Sequence, residues 1–377
     1  MPSLSWARAA AWRARRHYLD RRAPAGSMLD VASRLCGLHA QVLSSAELTV
    51  WARVENLDRR AVQQALWDER TLVKTWAMRG TLHLLPASEL HVWHGALGTS
   101  TRYRRPAGWM KYYGITLKQL DQVTDAIAAA LEGQVLTREE LAAEVKRRTR
   151  SAALAKKLAA SSWGSMLQPA AFAGRLCFGP SAGQRVRFTH PRSWLSGQAD
   201  AVDGQAATVD VTRRFLRAYG PATHLDLARW WNGGGLTLAR QWIGALGDEV
   251  CAVDVEGTPA WMLAEDAREA REFAPGRSVR LLPGFDQYVV AASPHADQLL
   301  PADGLRPRVY RPQGWISPVL LVNGRMEGTW RHQIKGSAVD VVVEPFVQQP
   351  QWVRRAAERE AERLAAFFGA NSSCRIS

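Results

Sequence analysis

The sequence predicts an α+β fold in which runs of helix repeatedly give way to a short two-stranded hairpin. Three observations carry this. Apolar residues recur at helical spacing over many stretches of ten to fifteen residues. Each run of such stretches ends in β-branched or aromatic segments set around a glycine turn. The chain has 377 residues, 47% of them hydrophobic, enough for two or three packed units with substantial cores.

The elements follow in order. The first copy of the pattern opens with an Arg-rich helix over 5–22, continues with helices over 29–38 and 47–54, and then uses Asp58 to cap a helix over 61–67. Residues 71–76 and 79–85, either side of the turn at Gly80, form its hairpin, which Pro86 ends. The second copy has helices over 117–131, 139–148 and 162–173. The middle one is opened by a capping box, Thr137 with Glu140. Strands over 175–178 and 186–189 flank the turn-rich 179–183. The third copy runs through helices over 208–219, 225–231 and 236–246 to strands over 250–255 and 260–263. A β-rich region follows, with strands over 319–322 and 325–330 around the two-residue turn Asn323-Gly324, and a helix over 352–368 closes the chain.

Helix, turn, helix and a two-stranded wing is the winged-helix pattern, and three copies suggest a composite DNA-binding surface. The expected segments are 1–100, 101–200 and 201–275 for the three units and 276–377 for the β-rich region with its terminal helix. Small α+β units that recur without any role on DNA are the alternative, because a fold does not fix a function.

Charge favours DNA. Lys and Arg number 49 against 35 acids, a net charge of +14, so the surface field attracts polyanions. Six arginines (Arg8, Arg13, Arg15, Arg16, Arg21, Arg22) crowd the first 22 residues against one acid, Asp20, where a solvated helix would mix the signs. Arg102, Arg104, Arg105 and Lys111 alternate with Tyr103, Trp109, Tyr112 and Tyr113, as phosphate-contacting segments do; a linker with packed aromatics reads equally well. Lys146 to Arg150 gathers cations at a helix end, which suits the helix dipole. Between Arg306 and Lys335 six cations face only Glu327, so that stretch should meet phosphates or open solvent. The alternating charges of 352–368 read as ordinary pairing on a helix surface.

The composition excludes several classes. No run of about 18 apolar residues and no leader-like start occurs, which predicts a cytoplasmic protein with no membrane contact. Cys36, Cys177, Cys251 and Cys374 lie far apart without a CxxC pair, so no zinc site and no disulfide set is expected. Phosphate-loop, GxSxG, HExxH and dinucleotide signatures are absent, and neither a metal nor an organic cofactor is expected.

One polar patch stands in an apolar context, Gly37-Leu38-His39-Ala40-Gln41. In an extended segment His39 and Gln41, two apart, project to one side and can hold one water between them. Alternatively, both satisfy backbone groups where the chain turns. Asp286, in Leu281-Leu282-Pro283-Gly284-Phe285-Asp286-Gln287-Tyr288, is either a buried acid or a turn former, with the turn former favoured.

Several segments together resemble one family, the AlkZ-type winged-helix DNA glycosylases found in many actinobacteria. They are Gly37–Gln41, Thr75-Trp76-Ala77-Met78-Arg79-Gly80-Thr81-Leu82-His83-Leu84, Gly174-Arg175-Leu176-Cys177, Tyr219-Gly220-Pro221-Ala222-Thr223, Leu281–Tyr288, and Gly314-Trp315-Ile316-Ser317-Pro318 through Gly328-Thr329-Trp330. The resemblance implies a C-shaped arrangement of tandem winged helices around duplex DNA. It also implies excision of N7-alkylated purines, with unhooking of crosslinks or removal of bulky antibiotic adducts in some members, and hence a role in self-resistance or base excision repair. The family's catalytic Gln-x-Gln or Gln-x-Asp falls on His39-Ala40-Gln41, where His39 departs from the Gln form.

On that reading Gln41 orients a water beneath C1′ of an oxocarbenium-like sugar, and neutral His39 shares the water or takes its proton. Double-stranded DNA carrying alkylated purines is the expected partner of a monomer. A hairpin over 309–315, with Arg308, Tyr310, Arg311, Gln313 and Trp315, is the candidate minor-groove probe. Arg79 and Lys74 on the first wing, with Arg104, Arg105 and Lys111, are the candidate phosphate contacts, and a wing-stabilising ion pair is the other reading of Arg79. No Lys lies near His39 in sequence, so hydrolysis without lyase chemistry is expected. A winged-helix regulator that cuts nothing, or a protein that shields damage without excising it, would share much of the same pattern.

Overall fold

The computed structural model describes residues 2–100, 107–161, 164–195, 202–232 and 234–376. It is a mixed α+β fold of helices and several small sheets. The chain divides into two compact units. Unit 1 comprises Met1–Ala61, Arg213–Leu227 and Ile243–Ser377, and unit 2 comprises Val62–Thr212 and Ala228–Trp242. These units cut across the four consecutive segments expected above, since residues from both ends of the chain share one core.

Unit 1 is built on a five-stranded sheet in the order Val279–Leu282, Val319–Val322, Arg325–Lys335, Ala338–Pro345, Asn371–Ile376. The first three pairings are antiparallel and the last is parallel. Asn323 and Gly324 both take positive φ, 50° and 82°, which is what the two-residue hairpin turn requires. Gly324 has a second reason: a Cβ there would run into the backbone of Ala10. Met326 and Trp330 alternate inward on one strand, and Val339, Val341 and Val343 on the next, as the two-residue period of a half-buried sheet demands. They share their core with Val353, Ala357, Ala361 and Leu364 of the helix Gln351–Phe367.

The helix Trp6–Arg16, capped by the Ser5 hydroxyl, is a core element of unit 1. Trp6, Ala9, Ala10, Trp12 and Ala14 are buried, and four of the six arginines of this stretch find partners within unit 1. Arg13 donates from Nε to the Tyr219 carbonyl at 3.0 Å and also donates to the Pro221 carbonyl. Arg16 pairs with buried Asp266, Arg22 with Glu360, and Arg8 donates to the carbonyl of Arg271. Burial lowers the pKa of Arg13, and it lowers that of Arg16 to about 10. This corrects in part the expectation of a sign-biased helix facing DNA: these four guanidiniums bind acids and carbonyls far away in sequence, while Arg15 and Arg21 are exposed. The strand Ser3–Leu4 adds in parallel to Val250–Val255, which pairs antiparallel with Thr258–Leu263.

In unit 2 the hairpin Leu72–Trp76 with Leu82–Pro86 turns through Met78–Gly80, where Arg79 and Gly80 have φ of 61° and 70°. The helix Leu117–Leu131 matches its expected bounds. The helix Arg138–Thr149 opens with the expected capping box of Thr137 and Glu140. A helix not foreseen, Ala152–Ala160, follows, while the one expected over 162–173 is confined to Gln168–Phe172 among the described residues. The three-stranded sheet that comes next is ordered Val135–Thr137, Arg185–Thr189, Cys177–Ala182. No helix among the described residues is long and apolar enough to cross a membrane.

Candidate active site

The segment that holds His39 and Gln41 begins where the helix Met28–Arg34 stops. Cys36 takes φ of 60°, its N–H bonds to Ser33 O at 3.0 Å, and the Gly37 N–H bonds to Ala32 O at 2.8 Å. These are the two reversed hydrogen bonds of a Schellman termination. Gly37, at φ 92°, completes a reversal that a side chain would strain. Leu38–His39 is then extended and fully packed, and Gln41, half-buried, stands just ahead of the helix Leu43–Trp51.

A second segment of unit 1 frames the first. The strand Val279–Leu282 turns through Pro283 and Gly284 to Phe285, whose φ of 61° is unusual for an aromatic residue. That conformation accompanies a stack on His39, with ring centroids 5.5 Å apart and planes inclined by 16°. The next residue, Asp286, accepts the Tyr288 N–H at 2.9 Å and so caps the helix Gln287–Ala292. Its carboxylate also takes two bonds from Arg53, each 2.7 Å, with both side chains fully buried. Asp286 is therefore a buried acid as well as a cap, where the turn former alone was favoured. Gln287 donates its amide N–H to Gly37 O at 2.6 Å. Two consecutive elements thus clamp the 37–41 segment, one through a ring stack and one through a hydrogen bond.

Phe285 also meets Trp315 edge to face, at 5.0 Å and 75°. Trp315 is 53% exposed and ends a short loop closed by a Tyr310–Ile316 bridge and by the Arg311 N–H to Trp315 O bond at 2.8 Å. The expected hairpin is thus a five-residue loop, entered from the short helix Arg306–Val309 rather than from a strand. Arg311 and Gln313 are exposed at its tip, with Gln313 at φ 60°. Tyr310 departs from expectation. Its ring joins the core and its hydroxyl donates to Val289 O at 2.7 Å, so it turns away from the exposed face.

A family model described as DNA glycosylase AlkZ-like matches residues 32–367. The chain belongs to this family. It is 39% identical over 371 residues, 97% of each chain, to a curated protein of Streptomyces sahachiroi described as an interstrand DNA cross-link repair glycosylase. It is also similar to the solved structure of the Streptomyces sahachiroi DNA glycosylase AlkZ, with a TM-score of 0.88, 37% identity and full coverage of both chains.

In this AlkZ-like chain the remaining candidate contacts fall into distinct groups. Arg308 lies 3.5 Å from Glu344 and over the Phe346 ring, and Arg331 also pairs with Glu344. Lys335 pairs with Asp340 at 2.7 Å, Arg325 with Glu327 at 3.5 Å and Arg306 with Asp297 at 3.7 Å. Apart from Glu327, the acids that pair with the 306–335 cluster, Asp297, Asp340 and Glu344, lie outside the window that appeared to leave it unopposed. Arg311 has no ion pair among the described residues.

In unit 2, Arg79 was expected to reach a phosphate or to join an ion pair. It donates to Trp230 O at 2.8 Å and sits 3.3 Å from His83 Nε2, tying the turn of its hairpin to Trp230. Lys74 is half-buried over the Phe178 ring, and burial lowers its pKa. Lys111 is exposed on the helix Ala107–Tyr113. Arg104 and Arg105 lie outside the described residues. Sequence reasoning missed Arg53, Phe285 and Gln287 as parts of the site. The only signal for them was that two of the three fall in the segment 281–288. Among the described residues no three His, Cys, Asp or Glu side chains gather as a metal site would require.

Proposed function

We propose that the protein is a DNA glycosylase that hydrolyses the N-glycosidic bond of N7-alkylated guanine, with His39 and Gln41 at its reacting centre. The observation that carries this reading is the clamped 37–41 segment in a chain of the AlkZ-like family, with His39 held flat against Phe285 at 5.5 Å.

An N7-alkylguanine bears a positive ring, so the leaving group is already activated and the site needs chiefly to position a water. The C1′–N9 bond breaks with its electron pair passing to the purine, which neutralises the cation. A water oriented by Gln41 bonds to C1′, and its proton passes to His39, leaving an abasic sugar. A rigid imidazole and amide suit this step, because small misplacement of a reacting water costs rate steeply. Similarity to an interstrand cross-link repair glycosylase supports crosslinked DNA as a substrate, and the proposal extends to bulky adducts and to a role in self-resistance or base excision repair.

Water rather than an amine is the nucleophile on this reading. The Lys nearest to His39 in sequence, Lys74, is half-buried over the Phe178 ring. The exposed loop 311–315 is the groove probe, its Trp315 touching the ring that touches His39. Three winged-helix units curved around a duplex, in a cytoplasmic monomer, complete the proposal. Incubation with a duplex carrying a single N7-alkylguanine tests it: abasic sites must appear without a metal or cofactor. Binding without base release would instead identify a damage shield, and a sequence-specific footprint a regulator.

A further inference from the structure

On unit 1 a cleft of about 610 Å³ lies between the helix Gln351–Phe367 and the start of the strand Val279–Leu282. None of the residues in the proposed catalytic centre lines it. Six arginines do, with one carboxylate, Glu360.

The arginines divide into walls and free charges. Arg22 is bound to Glu360, Arg363 donates to the carbonyls of Trp51 and Val54, and Arg280 to those of Val279 at 2.7 Å and Asp20 at 3.1 Å. These three are buried or half-buried and hold the cleft together. Arg277, Arg355 and Arg359 are exposed and make no ion pair among the described residues. The terminal helix is thus not paired along its surface as its alternating charges suggested.

Two features point to an anionic occupant. Arg355, Arg359 and Arg363 follow one another at four-residue spacing, a row of like charges that destabilises a bare helix. In addition, Arg280, 9% exposed, brings a further guanidinium to a wall that Glu360 alone opposes with a carboxylate. Burial, and then the neighbouring Arg22, brings Arg280 down to about 10.

We propose that this cleft binds a compact polyphosphate, inorganic pyrophosphate or the di- or triphosphate of a free nucleotide. Its size is that of a small-molecule site. Several converging guanidiniums match adjacent phosphate groups through paired N–H donors. A concave cleft also suits a compact anion better than the convex rail of a duplex backbone.

Calorimetric titration of the full chain in about 0.15 M chloride tests this. The expected result is 1:1 binding of pyrophosphate, ATP competing for the same site, and affinity reduced about tenfold or more in Arg355→Ala/Arg359→Ala. Arg354→Ala, on another face of the same helix, should bind as wild type does. The double variant should melt as wild type does and keep its duplex affinity, since the changed side chains are exposed. Absence of pyrophosphate binding overturns the proposal, as does equal weakening by Arg354→Ala, which would show general charge alone. Loss of duplex affinity in the double variant also overturns it, because the cleft would then belong to the DNA track.

Discussion

Arg53 and Asp286, distant in sequence, meet as a doubly hydrogen-bonded ion pair with neither side chain exposed to solvent. Arg53 follows the helix that starts just after Gln41, and Asp286 follows the ring that stacks on His39. The pair therefore ties together the two segments that frame the proposed catalytic centre. Desolvating two charges is expensive, and the surroundings recover that cost only with complete geometry. Here the Thr49 carbonyl takes a further Arg53 N–H at 3.0 Å and the Tyr288 N–H fills another lone pair of the carboxylate, while the buried Arg53 Nε is left without an acceptor among the described residues.

Removing one partner leaves the other charge buried and alone. Asp286→Ala or Arg53→Ala should cost roughly 3–5 kcal/mol in urea unfolding of unit 1. An apolar replacement of both, Arg53→Met with Asp286→Leu, should cost less than either single change. A double variant weaker than both singles would show that the pair is valued for its attraction and not for mutual neutralisation.

Gln287 acts on the centre through Gly37, so it is a positioning residue. Gln287→Ala should slow single-turnover excision about tenfold while duplex affinity stays within twofold. Gln287→Glu keeps the size but puts an acceptor against the Gly37 carbonyl, and should be as slow as Ala. Full activity in the Glu variant would mean that only packing matters there.

Acid should destabilise the fold through buried histidines. His17 sits edge-on between Tyr219 and Tyr288, and burial, aided by Arg53, holds its pKa well below 6.5. In unit 2, burial and then His91 and His190 lower His94 to about 4. Below about pH 6.5 the unfolded chain takes protons that the folded chain refuses, so stability falls as pH falls. Each such group contributes up to about 1.4 kcal/mol per pH unit, and for His94 this continues down to about pH 4. Urea midpoints at several pH values between 7.5 and 5 should fall, with a shallower fall in His17→Phe. An unchanged slope in that variant would remove His17 from the account.

The 311–315 loop should separate contact from scaffold. Arg311→Ala should weaken duplex binding several-fold and lower the salt dependence by about one released ion. Trp315→Ala should slow excision as well, because it strips support from Phe285. Tyr310→Phe should leave duplex affinity unchanged and cost about 1 kcal/mol of stability, the value of its bond to Val289. Equal loss of duplex affinity in the Tyr310 and Arg311 variants, measured by fluorescence anisotropy, would contradict this division.

Local signals in the sequence translated well into local structure. The capping box at Thr137, the helix Leu117–Leu131, the strand Val250–Val255 and the Asn323-Gly324 turn all follow from chemistry within a few residues. Charge counted along the chain does not show burial, because a guanidinium on a long apolar stem can lie in a core if a distant partner waits there. Nothing near Arg13 announces the Tyr219 carbonyl, and nothing near Arg331 announces Glu344. Similarly, the spacing of His39 and Gln41 was visible, whereas the frame supplied by Phe285, Gln287 and Arg53 depends on contacts between segments far apart in the chain. Tyr310 looked like a probe beside Arg311, yet bridge geometry turns alternate residues to opposite sides.

The central claim concerns the water between His39 and Gln41, and single-turnover alkaline cleavage of a labelled duplex bearing one N7-alkylguanine tests it most directly. Wild type should yield an abasic site at the adduct. Gln41→Ala should lose excision by about a hundredfold or more and His39→Ala by a smaller but clear factor, both with duplex affinity nearly intact. Excision at the wild-type rate in Gln41→Ala, or loss of excision only in proportion to lost binding, would contradict the account.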